Sequence, residues 1–293
     1  MSAQSLWHNA PELQSDAIFI ADAHFMPLHL EPLPSQGKIA SRALLAYFHS
    51  LLQNKAHIPS QIFLMGDIAH LLLGGIPSSI EAHKQLLDSL HQLTKHSQIW
   101  WLEGNHDFGL SHAMESMARF YPALRAVRII PRSQQPLPLN YIHKDTAYLE
   151  SKKILLAHGD IFLNKKYEMY IALMTTHFMR LSLRMLDYVT FGNLYKCVVK
   201  KVNHNTIKQG NVDIQTFAEK RIAAYNTYLH NAITQGRANK QDKIDMIIEG
   251  HFHIGKSYNG QSLYISLPSF YLNGSVFTIQ SKDTNHQTHT ISD

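Results

Sequence analysis

The 293-residue sequence predicts an α/β fold whose alternation of strands and helices is interrupted by a long helical insertion. Two observations carry this reading. Strand-length apolar runs recur between helical patterns, and the stretch from Ile161 to Gly236 contains none of them. The runs Ala17–Ala21 (AIFIA), Gln61–Met65 (QIFLM), Gln98–Leu102 (QIWWL) and Ile154–Ala157 (ILLA) have the length and composition of buried strands. Lys38–Lys55 and Ser78–Lys95 read as helices between them. From Ile161 the pattern turns helical. Lys165–Thr190 is followed by a break at Gly192-Asn193, then Leu194–Val202, a break near Gly210-Asn211, and Asp213–Ile233. Strands return at Ile244–Glu249, Ser262–Ser266 and Ser275–Gln280, and polar Ser281–Asp293 is expected to fray. The division is a core of residues 1–160 and 237–293, with 161–236 as an inserted helical cap.

Bulk composition suits a soluble enzyme. A hydrophobic share of 45% can build a sizeable core. Cys197 is the only cysteine, which excludes an internal disulfide and points to a reducing compartment. Met1–Asp16 has neither a basic start nor an apolar stretch, so no signal peptide is expected. No run of about 18 apolar residues occurs, so no membrane span is expected.

The polar residues with chemistry cluster at strand ends. Asp22 follows AIFIA, Asp67 follows Gly66, Asn105 follows Gly104, and His158 follows ILLA. In open α/β sheets, ligands bind beyond the carboxyl ends of the strands. Five segments supply the set: Asp22-Ala23-His24, Gly66-Asp67, Gly104-Asn105-His106-Asp107, His158-Gly159-Asp160 and Gly250-His251-Phe252-His253. They offer carboxylate, imidazole and amide oxygen but no thiolate, a mixture that suits two divalent ions activating water against a phosphate. Asp22, His24 and His253 are expected to hold one ion, and Asn105, His158 and His251 the other. Asp67 is expected to bridge them, since a carboxylate has lone pairs on two oxygens. Gly66, Gly104 and Gly250 each precede a ligand, where the backbone must turn sharply. Gly74-Gly75 lacks the Lys-Ser/Thr of a phosphate loop and reads as a turn.

The order and spelling of these motifs resemble the calcineurin-like metallophosphoesterase family, from Ile18 to His253. The resemblance implies a four-layered α/β/β/α sandwich, a dimetal centre and phosphoester hydrolysis. It implies that His106 is not a ligand but sits over the phosphate, stabilising charge or protonating the leaving oxygen. Asp107 is then expected to orient His106 by a hydrogen bond. Two positions depart from the family spelling without touching the ligand set. Ala21 stands where Ser often precedes the first Asp, and His70 stands where an acidic residue often follows the G-D motif.

The insertion bears on the substrate. From Ile161 to Lys208, eight basic residues (Lys165, Lys166, Arg180, Arg184, Lys196, Lys200, Lys201, Lys208) face only Glu168 and Asp187, against a formal charge of +5 for the whole chain. Such a surplus points to an anionic partner. In Tyr170–Val189, His177, Arg180, Arg184 and Asp187 fall in one narrow helical seam and almost everything else is apolar. Two readings stay open: a helix sandwiched between core and neighbours, or one that packs with one side and receives acyl chains with the other. A basic and apolar insertion between the H-G-D and G-H-x-H motifs, with Asn105-His106-Asp107-Phe108, resembles the UDP-2,3-diacylglucosamine diphosphatase subfamily of lipid A synthesis. That subfamily often carries Arg at the position of His106.

The resemblance implies cleavage of UDP-2,3-diacylglucosamine to UMP and a diacyl sugar phosphate at the cytoplasmic membrane surface. Manganese is the expected metal, with iron or zinc as alternatives. Lys165, Lys166, Arg180 and Arg184 are expected to bind substrate. The rival readings are a nuclease, a soluble phosphodiesterase, a protein phosphatase and a non-catalytic membrane-associated module. Nucleic acid fits poorly because it needs no Met-rich apolar cap, and the full ligand set disfavours the non-catalytic module.

Overall fold

Alternate residues of the central strands belong to different cores, and this period of two builds the whole architecture. The computed structural model describes residues 4–27, 36–143, 150–202, 207–279 and 287–290. In the first sheet lie β2 (Ile18–Ile20), β3 (Gln61–Leu64), β5 (Gln98–Leu102), β7 (Arg128–Ile130), β13 (Ser275–Thr278) and β14 (Gln287–Thr290). Their order is β14-β13-β2-β3-β5-β7, parallel from β2 to β7. The second sheet contains β1 (Glu12–Leu13), β8 (Leu137–His143), β9 (Glu150–Ala157), β10 (Met246–Glu249), β11 (Lys256–Asn259) and β12 (Leu263–Ser266). Its order is β1-β8-β9-β10-β12-β11, with β9, β10 and β12 parallel. A two-stranded patch joins β4 (Leu72–Leu73) to β6 (Asp107–Phe108).

Phe19, Phe63, Trp100 and Leu102 from the first sheet meet Ile154, Leu156, Met246, Ile248 and Ile265 from the second in a shared core. On the other face of the first sheet, Ile18, Ile20, Ile62, Leu64, Ile99 and Trp101 pack against α1 (Gln36–Gln53), α3 (Lys84–Leu93) and α4 (Leu110–Met117). On the far face of the second sheet, Leu155, Ala157, Ile247 and Tyr264 pack against Ala218, Ile222, Tyr225 and Leu229 of α8 (Ile214–Thr234). The result is a helix–sheet–sheet–helix sandwich, as the sequence predicts.

The insertion is divided differently from the expectation. α8 is one of the sandwich's own layers, because its buried face completes the third core. The cap proper is α5 (Lys165–Met174), α6 (His177–Val189) and α7 (Asn193–Val202). The expected single helix Lys165–Thr190 is broken because the Thr176 hydroxyl accepts from the Met179 N–H and starts α6 afresh. The expected helix Ser78–Lys95 likewise splits at His83 into α2 (Pro77–Ala82) and α3. Within the expected frayed tail, Gln287–Thr290 pairs with β13. Residues 281–286 and 291–293 lie outside the described ones.

α6 turns only part of its polar seam inward, since His177 and Arg184 are exposed. Asp187 is buried and accepts from the Ser78 N–H at 3.1 Å, and Arg180 packs over Gly75. The apolar faces of the cap look outward: Phe178 is 75% exposed, Tyr188 81% and Phe191 87%.

Candidate metal centre

Five of the expected ligands adopt a backbone conformation that side chains with a Cβ rarely tolerate. Asp22, His24, Asp67, His251 and His253 have φ of 50°, 43°, 52°, 55° and 54°. Each follows the end of β2, β3 or β10, where the chain turns at once toward the seam between the sheets. Such backbone strain gathers at functional sites, where the surrounding structure holds it in place. The preceding glycines are needed for close approach. A Cβ at Gly66 would run into the His158 ring, at Gly104 into the Asp67 carboxylate, and at Gly250 into that of Asp22.

The ligand atoms converge in two groups: Asp22, His24 and His253 in one, and Asp67, His158 and His251 in the other. Asn105 joins the second group, its Oδ1 lying 3.4 Å from His158 Nε2. Hydrogen bonds at the far side of two rings fix what they offer. His158 Nδ1 lies 2.9 Å from the Met65 carbonyl oxygen, so that nitrogen must donate. In the neutral ring, Nε2 then presents a lone pair, 3.5 Å from Asp67 Oδ2. His253 repeats the pattern, with Nδ1 3.1 Å from the Lys208 carbonyl oxygen and Nε2 3.2 Å from Asp22 Oδ1. Acceptors thus face acceptors in both groups, an arrangement that calls for cations between them. The donor set fits two divalent ions, which would be held by Asp22, His24 and His253 and by Asp67, Asn105, His158 and His251.

The charges agree. Burial lowers the basicity of His158, yet the Asp67 charge and hydrogen bond outweigh it and hold the ring well above its ordinary value. Burial also acts on His253, and the Asp22 bond and charge likewise raise it. His24 is well below its ordinary value because burial dominates. Each carboxylate therefore draws positive charge to its group. Asp67 belongs to the second group, and its charge is also the main one supporting a cationic His24.

His106 lies outside both carboxylate-bearing groups, its main-chain N–H donating to Asp67 Oδ1 at 2.8 Å. Asp107 corrects an expectation: it does not hydrogen-bond His106. Its carboxylate accepts from the N–H groups of Asp67, Ile68, Ala69 and Gly104 and from the Trp101 indole, at 2.8–3.2 Å. Burial first, and the Asp67 charge second, push its carboxyl up to about 8, while the Gly104 and Ala69 N–H groups pull the other way. A neutral carboxyl would turn an O–H toward a donor, so the five donors favour the ionised form. Asp107 is thus the clasp that joins the Gly66-Asp67 turn to the Gly104-Asn105 turn.

The expected substrate-binding bases divide. Arg180 lines an open cavity of about 290 Å³ between cap and core, with Leu73, Ile76, Phe108, His112, Arg132, Met174 and Leu183. Lys165, Lys166 and Arg184 are exposed on the cap surface and do not line it. Arg132 carried no motif in the sequence. It donates to Asp160 Oδ2 at 2.7 Å and to Glu168 Oε2 at 2.8 Å, tying the cap to the H-G-D turn. Gln135 carried none either; its Oε1 accepts from the His158 N–H at 2.7 Å.

A family model described as calcineurin-like phosphoesterase matches residues 17–255. The chain belongs to the calcineurin-like phosphoesterase family. It is a metal-dependent hydrolase of phosphoesters, from a family that uses a dimetal centre. No curated protein matches it significantly. Among solved structures it is similar to an archaeal phosphodiesterase at 12% identity and a TM-score of 0.39, covering 94% of this chain and 99% of that one. It is also similar to a dimetal phosphatase from Danio rerio, at 11% identity and a TM-score of 0.39, covering 94% and 98%. A predicted phosphoesterase from Streptococcus pneumoniae matches at 12% identity and a TM-score of 0.35, covering 94% and 88%.

Removing Asp67 tests the ligand assignment. The variant Asp67→Ala is expected to lose activity and to bind less metal than the wild type, as measured by elemental analysis beside turnover of an aryl phosphodiester. Full metal content with wild-type turnover would remove Asp67 from the centre.

Proposed function

We propose that this phosphoesterase hydrolyses the pyrophosphate bond of UDP-2,3-diacylglucosamine, giving UMP and 2,3-diacylglucosamine 1-phosphate. The cavity between cap and core supports the reading most directly. It combines apolar walls from Leu73, Ile76, Phe108, Met174 and Leu183 with the cations Arg132 and Arg180. Glu103, Phe108 and Gly109, close in sequence to Asn105 and His106, are among its lining residues. A substrate with an anionic group beside a hydrocarbon needs both kinds of wall. The cavity is sized for one portion of such a substrate.

Two divalent ions at the centre, manganese in this reading, would activate water and neutralise phosphoryl charge. The chain's own groups would do the rest. Arg180 would pair with the anionic group entering under the cap. His106 would stabilise charge or give a proton to the leaving oxygen, a role worth about 10²–10⁴-fold.

The acyl chains set the experiment. Each buried methylene contributes about 0.8 kcal/mol, so kcat/KM on the diacylated UDP-sugar is expected to far exceed that on the same sugar without acyl chains. Arg180→Ala should raise KM and leave metal content intact. Equal efficiency on both substrates would favour a soluble phosphodiesterase.

The same reading places the enzyme peripherally at an anionic membrane surface. No helix of the described residues is long and apolar enough to cross a membrane. The outward face of α5–α7 carries Phe178, Met185, Tyr188 and Phe191 beside exposed Lys165, Lys166, Arg184, Lys196, Lys200 and Lys201. Apolar residues flanked by bases suit an interfacial position, where each base contributes about 1 kcal/mol and salt screens it. Flotation with vesicles containing anionic lipid should carry the protein upward. Phe178→Ser with Phe191→Ser should abolish this, and indifference to those changes would remove the cap from the contact.

A further inference from the structure

The two metal-competent groups differ in what holds their outer histidine. For His158, the partner of Nδ1 is the buried Met65 carbonyl at 2.9 Å, directly after β3. For His253 it is the Lys208 carbonyl at 3.1 Å. Lys208 lies in the connection between α7 and α8, of which residues 207–213 are described. One group is thus braced by a sheet and the other by the segment that leaves the cap.

That segment is laid closely on the G-H-x-H turn. A Cβ at Gly210 would run into the Phe252 carbonyl oxygen and crowd Ile254, the residues on either side of His253. Glycine is therefore what lets the Lys208 carbonyl come within reach of the ring. Upstream, α7 is docked on the core. The Tyr195 hydroxyl donates to the Leu71 carbonyl at 3.3 Å, and Tyr195 and Val199 are buried against Ala82 and Leu71. Downstream, α8 is itself a layer of the core. The carbonyl that holds His253 is thus carried on a segment whose upstream end moves with the cap.

We propose that Gly210 is a positioning residue for His253, seating the cap's exit segment on the G-H-x-H turn so that the Lys208 carbonyl fixes the ring. Docking of the cap and binding of an ion at Asp22, His24 and His253 are thereby coupled. The inference rests on that group holding a metal ion. With Nδ1 donating to Lys208, Nε2 turns its lone pair toward Asp22 Oδ1 at 3.2 Å. Without that acceptor the proton is free to shift to Nε2 and the ring to turn. Losing such a partner of a ligating histidine costs about 10–100-fold in metal affinity. The ion at Asp67, Asn105, His158 and His251 has no such dependence, so the ion at His253 is the exchangeable one. Linkage makes the effect reciprocal: an ion that binds better under the docked cap tightens the docking by the same factor.

The test titrates the metal-stripped full chain with Mn2+ and follows it by electron paramagnetic resonance and by amide hydrogen exchange. The wild type should give the spectrum of an exchange-coupled manganese pair. Gly210→Val should weaken one of the two ions by about 10–100-fold. At limiting Mn2+ it should show an isolated ion, and excess Mn2+ should restore the coupled pair. Lys208→Ala, which keeps the carbonyl, should bind both ions as the wild type does. Mn2+ should slow hydrogen exchange in α5–α7 of the wild type more than in α1, and this difference should shrink in Gly210→Val. If Gly210→Val fails to fold, Gly210→Ala carries the test, with a smaller loss in the same direction.

Wild-type affinity for both ions in the folded glycine variant would overturn the proposal, as would equal weakening of both. Loss of the ion in Lys208→Ala would assign the effect to the lysine charge instead and overturn it too. Cap exchange indifferent to Mn2+ would remove the coupling. A wild type that never shows a coupled pair would remove the dimetal centre itself, and this inference with it.

Discussion

Lone pairs that face lone pairs are the constraint around which this molecule is organised. His158 and His253 each commit one nitrogen to a main-chain carbonyl, which leaves the other aimed at a buried carboxylate. Neither pair is satisfied by neutral protein groups alone. A proton or a metal ion has to sit between them, and the convergence of three and four ligands on two points suits a metal better than a proton. The rest of the site serves to keep these acceptors from relaxing apart.

The sandwich supplies that rigidity. Ligands come from the ends of β2, β3, β5, β9 and β10, so both sheets contribute to one seam. Their shared core fixes the sheets relative to each other. Side-chain clasps then fix the turns. Asp107 gathers three N–H groups of the Asp67 turn with that of Gly104. On the far face, Glu249 accepts from Arg221, Tyr225 and Tyr264 immediately before the Gly250-His251 turn. Burial disfavours the Arg221 charge, but the Glu249 charge and hydrogen bond outweigh it. α8 therefore braces the second metal-competent group. That is a further reason to count it with the core.

The central strands and the ligand set were legible because each ligand type follows an apolar run and a sharp turn. Other features carried no sequence signal. β8 (LPLNYIH) carries a proline and follows a proline-rich loop, which hid it, and its pairing with β9 on one side and β1 on the other makes it a strand. Asp107 sits next to His106 in sequence, yet its carboxylate is taken up by the main chain of the Asp67 and Gly104 turns and by the Trp101 indole, so adjacency misled. Arg132 and Gln135 act from a loop whose position depends on contacts with Asp160 and His158. The seam of α6 was readable as a pattern, but which side it faced was not. Asp187 turned inward because the free N–H of Ser78 at the start of α2 gave the carboxylate a partner.

The cap and the centre are joined chemically as well as in space. Arg132 links Asp160, next to the ligand His158, with Glu168 on α5, and lines the cavity into which Arg180 also points. Whatever enters beneath the cap meets Arg180 and Arg132, the second of which also holds the H-G-D turn in place. This account stands on there being two cation positions at the seam. Anomalous diffraction from manganese-loaded crystals tests it most directly. Two peaks are expected, one at Asp22, His24 and His253 and one at Asp67, Asn105, His158 and His251, about 3.5–4 Å apart. A single peak, or none, in crystals of active enzyme would contradict it.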